Sequence, residues 1–323
     1  MSIILPNNLD LYNWYRLNGC PNRDAIRKLE DGVLPDGASR GLLESLLPYF
    51  TNLDKSSKTY INNWDIEKDE RSIVVASDFH IPFHDVGAMR IFFNFLQEYQ
   101  PDELVLNGNI NDCWSFSSHP KLRELANVIK SAKEEVEKWL PIAEYMRDIL
   151  PSTKITYIGS QCHEGWIDKW ASLSPITLED ERYTIKNWFR LDDFLIDFEK
   201  EVYDPIGGKE ILITHGTVAR SKGGNSAHAE LDMSGTNIAI GHTHRLSQVY
   251  KTNAVGTYVG FETGCLCQRK PWYVIKGRRR MMDWQQGFVL LNFKDNSFGG
   301  NVVPIIRDGK DKPYIWIGKE IIK

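Results

Sequence analysis

The segment Ser72-Ile73-Val74-Val75-Ala76-Ser77-Asp78-Phe79-His80 runs from an apolar stretch straight into two side chains that bind metals. A run of β-branched and small apolar residues reads as a strand buried on both faces. Asp78 and His80 follow it two residues apart, on one side of an extended segment. The same event recurs downstream. Residues 103–106 lead into Gly108-Asn109-Ile110-Asn111-Asp112, and residues 154–158 into Cys162-His163-Glu164. Residues 210–214 lead into His215-Gly216, and residues 237–240 into Gly241-His242-Thr243-His244. Each apolar run is expected to be a strand. Each chemical segment is then the loop at its carboxyl end, where α/β sheets bind ligands.

Helices are expected between the strands. Asp85 can cap a helix over residues 86–99, whose Met89, Phe92, Phe93 and Leu96 share a face. Residues 119–150 form a long helical pattern that Pro141 should kink or split. Residues 257–261 and 287–293 read as later strands closing a sheet. The alternation predicts an α/β fold, a layered sheet core flanked by helices, with parallel strands covered by helices on both sides. Residues 1–66 read differently. Short helical patterns at 22–30 and 39–50 flank a turn with Gly32, Pro35 and Gly37, and the polar residues 51–70 read as a linker. This gives a small helical N-terminal arm, 1–66, and a main domain, 67–323. The arm reads as a packed appendage more readily than as a DNA-binding helix-turn-helix.

Composition narrows the classes. A chain of 323 residues can bury a large core. Its net charge of −4 gives no global attraction to nucleic acid or an anionic membrane, so any such contact must be local. Five cysteines without a spaced framework favour free thiols in a reducing compartment. The first residues carry no signal-peptide pattern, and no apolar run approaches the ~20 residues of a membrane helix. The expected location is cytoplasmic, in a bacterium or a phage-infected host.

Five of the eight histidines, His80, His163, His215, His242 and His244, fall at predicted strand ends. One histidine there is usually structural; five at one end of a sheet imply a shared ligand. Histidines with carboxylate oxygens suit Zn, Mn or Fe(II) better than Ca or Mg.

This ordered set resembles the calcineurin-like metallophosphoesterases, whose pattern is Asp-x-His, Gly-Asp-x-x-Asp, Gly-Asn-His-Asp/Glu, His, Gly-His-x-His. Residues 77–85, 241–245, Gly264-Cys265-Leu266-Cys267 and residues 284–288 look like the stand-alone phosphoesterases of phages and bacteria. The resemblance spans residues 71–293. It implies one metal on Asp78, His80 and His244 and another on His215 and His242. Residue 109 would bridge both, and residue 162 would serve the second. It further implies that His163 protonates the leaving group and that Asp112 orients it. Glu164 reads as a helix-start residue rather than a catalytic one.

Two positions depart from that pattern. Asn109 stands where the family has the bridging Asp, and Cys162, after Gln161, where it has Asn. An amide offers one good oxygen and no charge; a thiolate restores charge and favours softer metals. Three readings stay open: a re-tuned two-metal site with Cys162 as ligand, a site holding only the Asp78/His80/His244 metal, and a pseudoenzyme used for binding or assembly. Cys162 can also be a buried thiol without function. A redox-switchable Cys113–Cys162 disulfide is a further hypothesis. Cys265 and Cys267 alternate along an expected strand, so at least one reads as core, and they are too isolated for a Cys-only zinc site.

On the substrate side, residues 276–280 and Arg269-Lys270 form a basic loop that suits phosphates or a nucleic-acid backbone, or else a solvated surface. Trp114, Trp166, Trp272 and Trp284 can stack bases or fill core. Arg245 and His84 are taken as substrate-binding residues, with His119 and His228 near the entrance. The expected function is hydrolysis of phosphomonoesters or phosphodiesters, nucleic acid among them, by metal-activated water. The alternative is a catalytically impaired phosphoesterase fold with a binding or structural, phage-related role.

Overall fold

The computed structural model describes residues 71–118, 131–205, 210–269, 282–294 and 297–323. The helical arm expected over residues 1–66 lies outside them, as do His119, Lys270, Trp272 and the basic run 276–280.

The opening segment forms β1 (Arg71–Ala76) at the heart of an eight-stranded sheet. Three parallel strands lie beyond it in order: β2 (Glu103–Asn107), β3 (Lys154–Ile158) and β4 (Ile196–Glu199). On its other side β10 (Gly287–Lys294) pairs antiparallel, followed by β11 (Ser297–Arg307), β12 (Pro313–Ile317) and β13 (Glu320–Ile322). A second sheet has five strands: β5 (Val202–Tyr203), β6 (Ile211–Thr214), β7 (Asn237–Ile240), β9 (Thr257–Thr263) and β8 (Leu246–Thr252), in that spatial order.

The two sheets face each other. Alternate residues of β1 make this visible. Val74 and Ala76 join the cluster beneath the helices, whereas Ile73 and Val75 pack against Ile211, Ile213, Ala239 and Phe261 of the second sheet. Leu104 and Leu106 divide from Val105 in the same way. Among the described residues, helices cover only the outer faces. On the first sheet these are α1 (Val86–Tyr99), α2 (Ala132–Ile149) and α3 (Gly165–Ala171). On the second, α4 (Asn225–Ser234) seats Ala227 and Leu231 over Ile238 and Ile240. The expectation of a parallel sheet with helices on both sides is corrected accordingly. A strand that is apolar on both faces records that both are covered, not whether a helix or a sheet covers them.

Asp85 caps α1 as expected, accepting a hydrogen bond from the Ala88 N–H at 2.9 Å. Pro141 does not split α2. Trp139, Ile142, Ala143 and Met146 are buried on either side of it, and their packing carries the helix across the missing N–H. Among the described residues no helix is long and apolar enough to cross a membrane.

Candidate metal centre

Parallel register brings the loops together. Ala76 lies beside Leu106 and Asn107 beside Ile158, so the loops after β1, β2 and β3 leave the sheet as neighbours. The Asp78 N–H donates to Gly108 O at 3.0 Å, and the His80 N–H to Asn109 O at 2.9 Å. In the second sheet Thr214 lies beside Ile240, and the Gly241 N–H donates to His215 O at 3.1 Å. The sheets are tied at this end. Asn107 Nδ2 donates to Thr214 O at 2.8 Å, Ser77 Oγ lies 2.6 Å from Thr263 Oγ1, and the His242 N–H donates to Asp78 Oδ2 at 2.9 Å.

Asp78, His80, Asn109, His242 and His244 all adopt left-handed backbone, with φ between 50° and 66°. For such residues this costs roughly 1–3 kcal/mol each and persists only where the surroundings impose it. Five where the carboxyl ends of the two sheets meet mark where the fold gives up stability to aim side chains.

Asp78 Oδ1 is the hub. His244 Nε2 lies 3.1 Å from it, His80 Nε2 3.6 Å and His215 Nε2 3.8 Å. Asn109 Nδ2 donates to the same oxygen at 3.1 Å. Asn109 Oδ1 points the other way, 3.1 Å from Cys162 Sγ, which in turn is 3.8 Å from His242 Nδ1. Two donor groups therefore adjoin through one amide: Asp78, His80 and His244, and Cys162, His215 and His242.

The outer edges of the imidazoles are also held. His80 Nδ1 meets the Asp112 carboxylate at 2.8 Å, His215 Nδ1 meets Asn107 O at 2.8 Å, and His244 Nδ1 lies 3.6 Å from Cys267 Sγ. Pinning Nδ1 outward leaves Nε2 facing the hub, the arrangement of ligating histidines.

The charges argue for a cation. Burial disfavours the Asp78 carboxylate, but His244 and His215 hold its pKa well below the ordinary value. Burial pushes the Cys162 thiol up, yet His215 and His242 bring it down to about 4. Burial opposes protonation of His80 and His215, but Asp112 and Asp78 raise the first to about 10, and Asp78 and Cys162 the second to about 9. Protons thus stand where cations would balance the anionic donors. Two observations fit metal ions here. His215 Nε2 is buried without a hydrogen-bond partner. The Cys162 thiol donates to the Asn109 oxygen at 3.1 Å, and a cation would take the place of that proton between sulfur and oxygen.

Ordered Asp-x-His, Gly-Asn-Ile-Asn-Asp, His and Gly-His-x-His loops thus meet at one end of two face-to-face sheets. This is the α/β arrangement and motif order that the calcineurin-like metallophosphoesterases, which the sequence resembles, would bring together. No family model matches the sequence. It is 28% identical over 250 residues to the gene 54 protein of Mycobacterium phage L5, covering 73% of this chain and 94% of that one. The gene 54 protein of Mycobacterium phage D29 is 28% identical over 252 residues, at the same coverages. Among solved structures, Vps29 from Chaetomium thermophilum is 13% identical, covering 77% of this chain and 97% of that one, with a TM-score of 0.41. Yfce, a phosphoesterase from E. coli, is 15% identical, covering 75% and 96%, with a TM-score of 0.32.

Around this centre, the remaining expected residues take distinct places. His163 Nδ1 lies 2.6 Å from the main-chain oxygen of Asp112 and 3.4 Å from its carboxylate, which serves His80 first. Asp112 therefore orients His163 chiefly through its backbone. The Arg245 guanidinium is engaged elsewhere. It donates to Arg220 O at 2.7 Å and Ser221 O at 3.2 Å, and Nε lies 3.4 Å from Asp283. His84 is half-buried in a backbone bridge to Cys267, and burial lowers its pKa to about 4. His228 is exposed and pairs with Asp232 of its own helix. Cys113 and Cys162 are both free thiols. Trp166 and Trp284 pack their rings on His163 and His244, at 4.4 and 4.2 Å between centroids.

Sequence reasoning missed Ser77, Cys267 and the work of Glu164. Glu164 is fully buried and accepts from the N–H groups of Asn109, Ile110 and Asn111 at 3.0, 2.8 and 3.3 Å. It also accepts from the hydroxyls of Tyr157 and Ser160. Its side chain thus shapes the Asn109 loop. Glu164→Gln turns an acceptor edge into a donor edge facing donors, and is expected to cost about 3 kcal/mol in chemical denaturation. Gly241 is needed for close approach, because a Cβ there would stand 2.8 Å from Ser77 Oγ and 2.9 Å from His215 Nδ1. Gly241→Ala is expected to push His215 off the hub, at about 1–3 kcal/mol of stability, with weaker metal retention in titration.

Proposed function

We propose that this chain is a metal-dependent phosphoesterase with a re-tuned two-metal site, hydrolysing phosphomonoesters or phosphodiesters. The observation that carries this reading is the pair of adjoining donor groups around Asp78 Oδ1, with a reachable imidazole beside them. Asp78, His80 and His244 would hold one divalent ion. Cys162, His215 and His242, with Asn109 Oδ1, would hold the other. A sulfur donor biases that second set toward Zn, with Mn and Fe(II) as alternatives. Bound divalent ions supply Lewis acidity toward a phosphoryl oxygen and lower the pKa of water.

The side chains have separable tasks. Asp112 and Asn107 fix the tautomers of His80 and His215. The His163 side chain is 23% exposed, against 7% for His80 and 3% for His215, so it is the one of these three that substrate can reach. Nδ1–H donates to Asp112 O, which leaves Nε2 facing outward, and in the imidazolium form Nε2 would pass its proton to the leaving oxygen. The phage proteins among its relatives support a place in the cytoplasm of a phage-infected bacterium.

A second reading is favoured by one residue. Asn109 puts an amide N–H, not a carboxylate, on Asp78, which suits a binding protein of the same fold holding a single metal. Metal content, followed by assays of aryl phosphate mono- and diesters with Mn or Zn, separates the two. Hydrolysis by the unaltered chain that is lost in Asp78→Ala supports the enzyme. Metal binding without turnover, with turnover appearing only in Asn109→Asp/Cys162→Asn, supports the binding protein.

A further inference from the structure

Residues 217–224, between β6 and α4, are mostly exposed, yet side chains brace their backbone along its length. Buried Glu230 accepts from the Thr217 and Val218 N–H groups at 3.1 and 3.3 Å. Buried Ser226 accepts from the Arg220 N–H at 2.8 Å, and buried Glu262 from the Gly224 N–H at 2.7 Å. Arg245 donates to the carbonyls of Arg220 and Ser221. A segment that merely connected two elements would have no need of this many anchors.

The loop begins two residues after His215, so it leaves the metal centre at its first end, and its middle is clamped by Arg245. It presents Arg220 and Lys222 to solvent, and among the described residues neither makes an ion pair. The nearby carboxylate of Asp283 is spent on Arg245. Fixed cations cost less to order against a ligand than cations on a loose loop.

We propose that Arg220 and Lys222 bind backbone phosphates of a nucleic acid strand whose scissile phosphate lies at the metal centre. This rests on the phosphoesterase reading and names its substrate class. A small monoester has no second phosphate for these cations, whereas a strand carries phosphates on either side of the bond cut. The net charge of −4 leaves such recognition to local cations.

The test is binding of labelled oligothymidylate and oligouridylate to the full chain in chelator, where no strand is cut. Anisotropy is followed across salt from about 50 to 200 mM, where counterion release sets the slope of affinity against salt. Arg220→Ala/Lys222→Ala is expected to make that slope shallower by about 1.4, roughly 0.7 for each phosphate contact on a single strand. Lys310→Ala/Lys319→Ala removes the same charge from the turns joining β11, β12 and β13 and is expected to keep the original slope. The slope change on either strand type supports the proposal. Equal slopes in the unaltered chain and Arg220→Ala/Lys222→Ala overturn it, as does failure of the unaltered chain to bind either strand. Failure of the phosphoesterase reading shows separately, as absent metal and absent aryl phosphoester hydrolysis without nucleic acid.

Discussion

Replacing Cys162 by alanine is expected to weaken zinc binding by at least about tenfold and to abolish the sulfur-to-metal charge-transfer band of cobalt-loaded protein. Loss of partners that merely orient ligands already costs about 10–100-fold in metal affinity, so loss of a ligand should cost no less. The basis is geometric. Sγ sits 3.1 Å from the Asn109 oxygen and 3.8 Å from His242 Nδ1, with His215 in the same group. If Cys162 were an idle buried thiol, cobalt would show no sulfur band and the variant would bind zinc as before. The partner change sharpens the point. Asn109→Asp alone places a carboxylate against both Asp78 Oδ1 and Cys162 Sγ, each 3.1 Å from the present amide. Three anions then crowd one spot, so the metal-free variant is expected to be less stable than its parent. In Asn109→Asp/Cys162→Asn the charge is moved rather than added, and stability should recover. The two changes should therefore be strongly non-additive in a double-mutant cycle. Additive effects would mean that Cys162 does not stand in for the charge absent at 109.

Much of this is legible in the sequence. The strand-then-ligand rhythm at residues 72–80 and its repeats rests on local chemistry: β-branched runs bury themselves, and polar residues at their ends must face a shared cavity. The converging ligand loops follow from that rhythm. The partner sheet does not, because Ile73 and Val75 look alike whether a helix or a strand covers them. Arg245 misled through adjacency to His244: a guanidinium has five donors, and the carbonyls of Arg220 and Ser221 claim two of them. Glu164 reads as a helix-start residue in the sequence because its partners, the N–H groups of residues 109–111, are over fifty positions away. Long-range satisfaction of buried backbone groups leaves no local pattern to read.

The same distinction between a side chain's neighbours in sequence and in space governs His163. His163→Ala is expected to slow hydrolysis of esters with alkyl leaving groups by about 10²–10⁴, the span of general acid catalysis. For a nitrophenyl ester, whose leaving oxygen needs no proton, the loss should stay within about tenfold. A ligand role would lower metal content, and a packing role would slow both substrates alike; only proton donation makes the loss depend on the leaving group. The geometry favours donation. Nδ1 is fixed by Asp112 O at 2.6 Å, Trp166 packs on the ring at 4.4 Å between centroids, and the His80 ring meets it edge-on at 4.5 Å. The imidazole is thereby held at the border of the donor set without facing the Asp78 hub. Asp112→Asn keeps the main-chain carbonyl that orients His163 but removes the carboxylate from His80. It should therefore weaken metal binding while leaving the dependence on leaving group intact. The opposite result, metal retained and leaving-group dependence lost, would make the carboxylate the orienting group of His163 and the main-chain bond incidental.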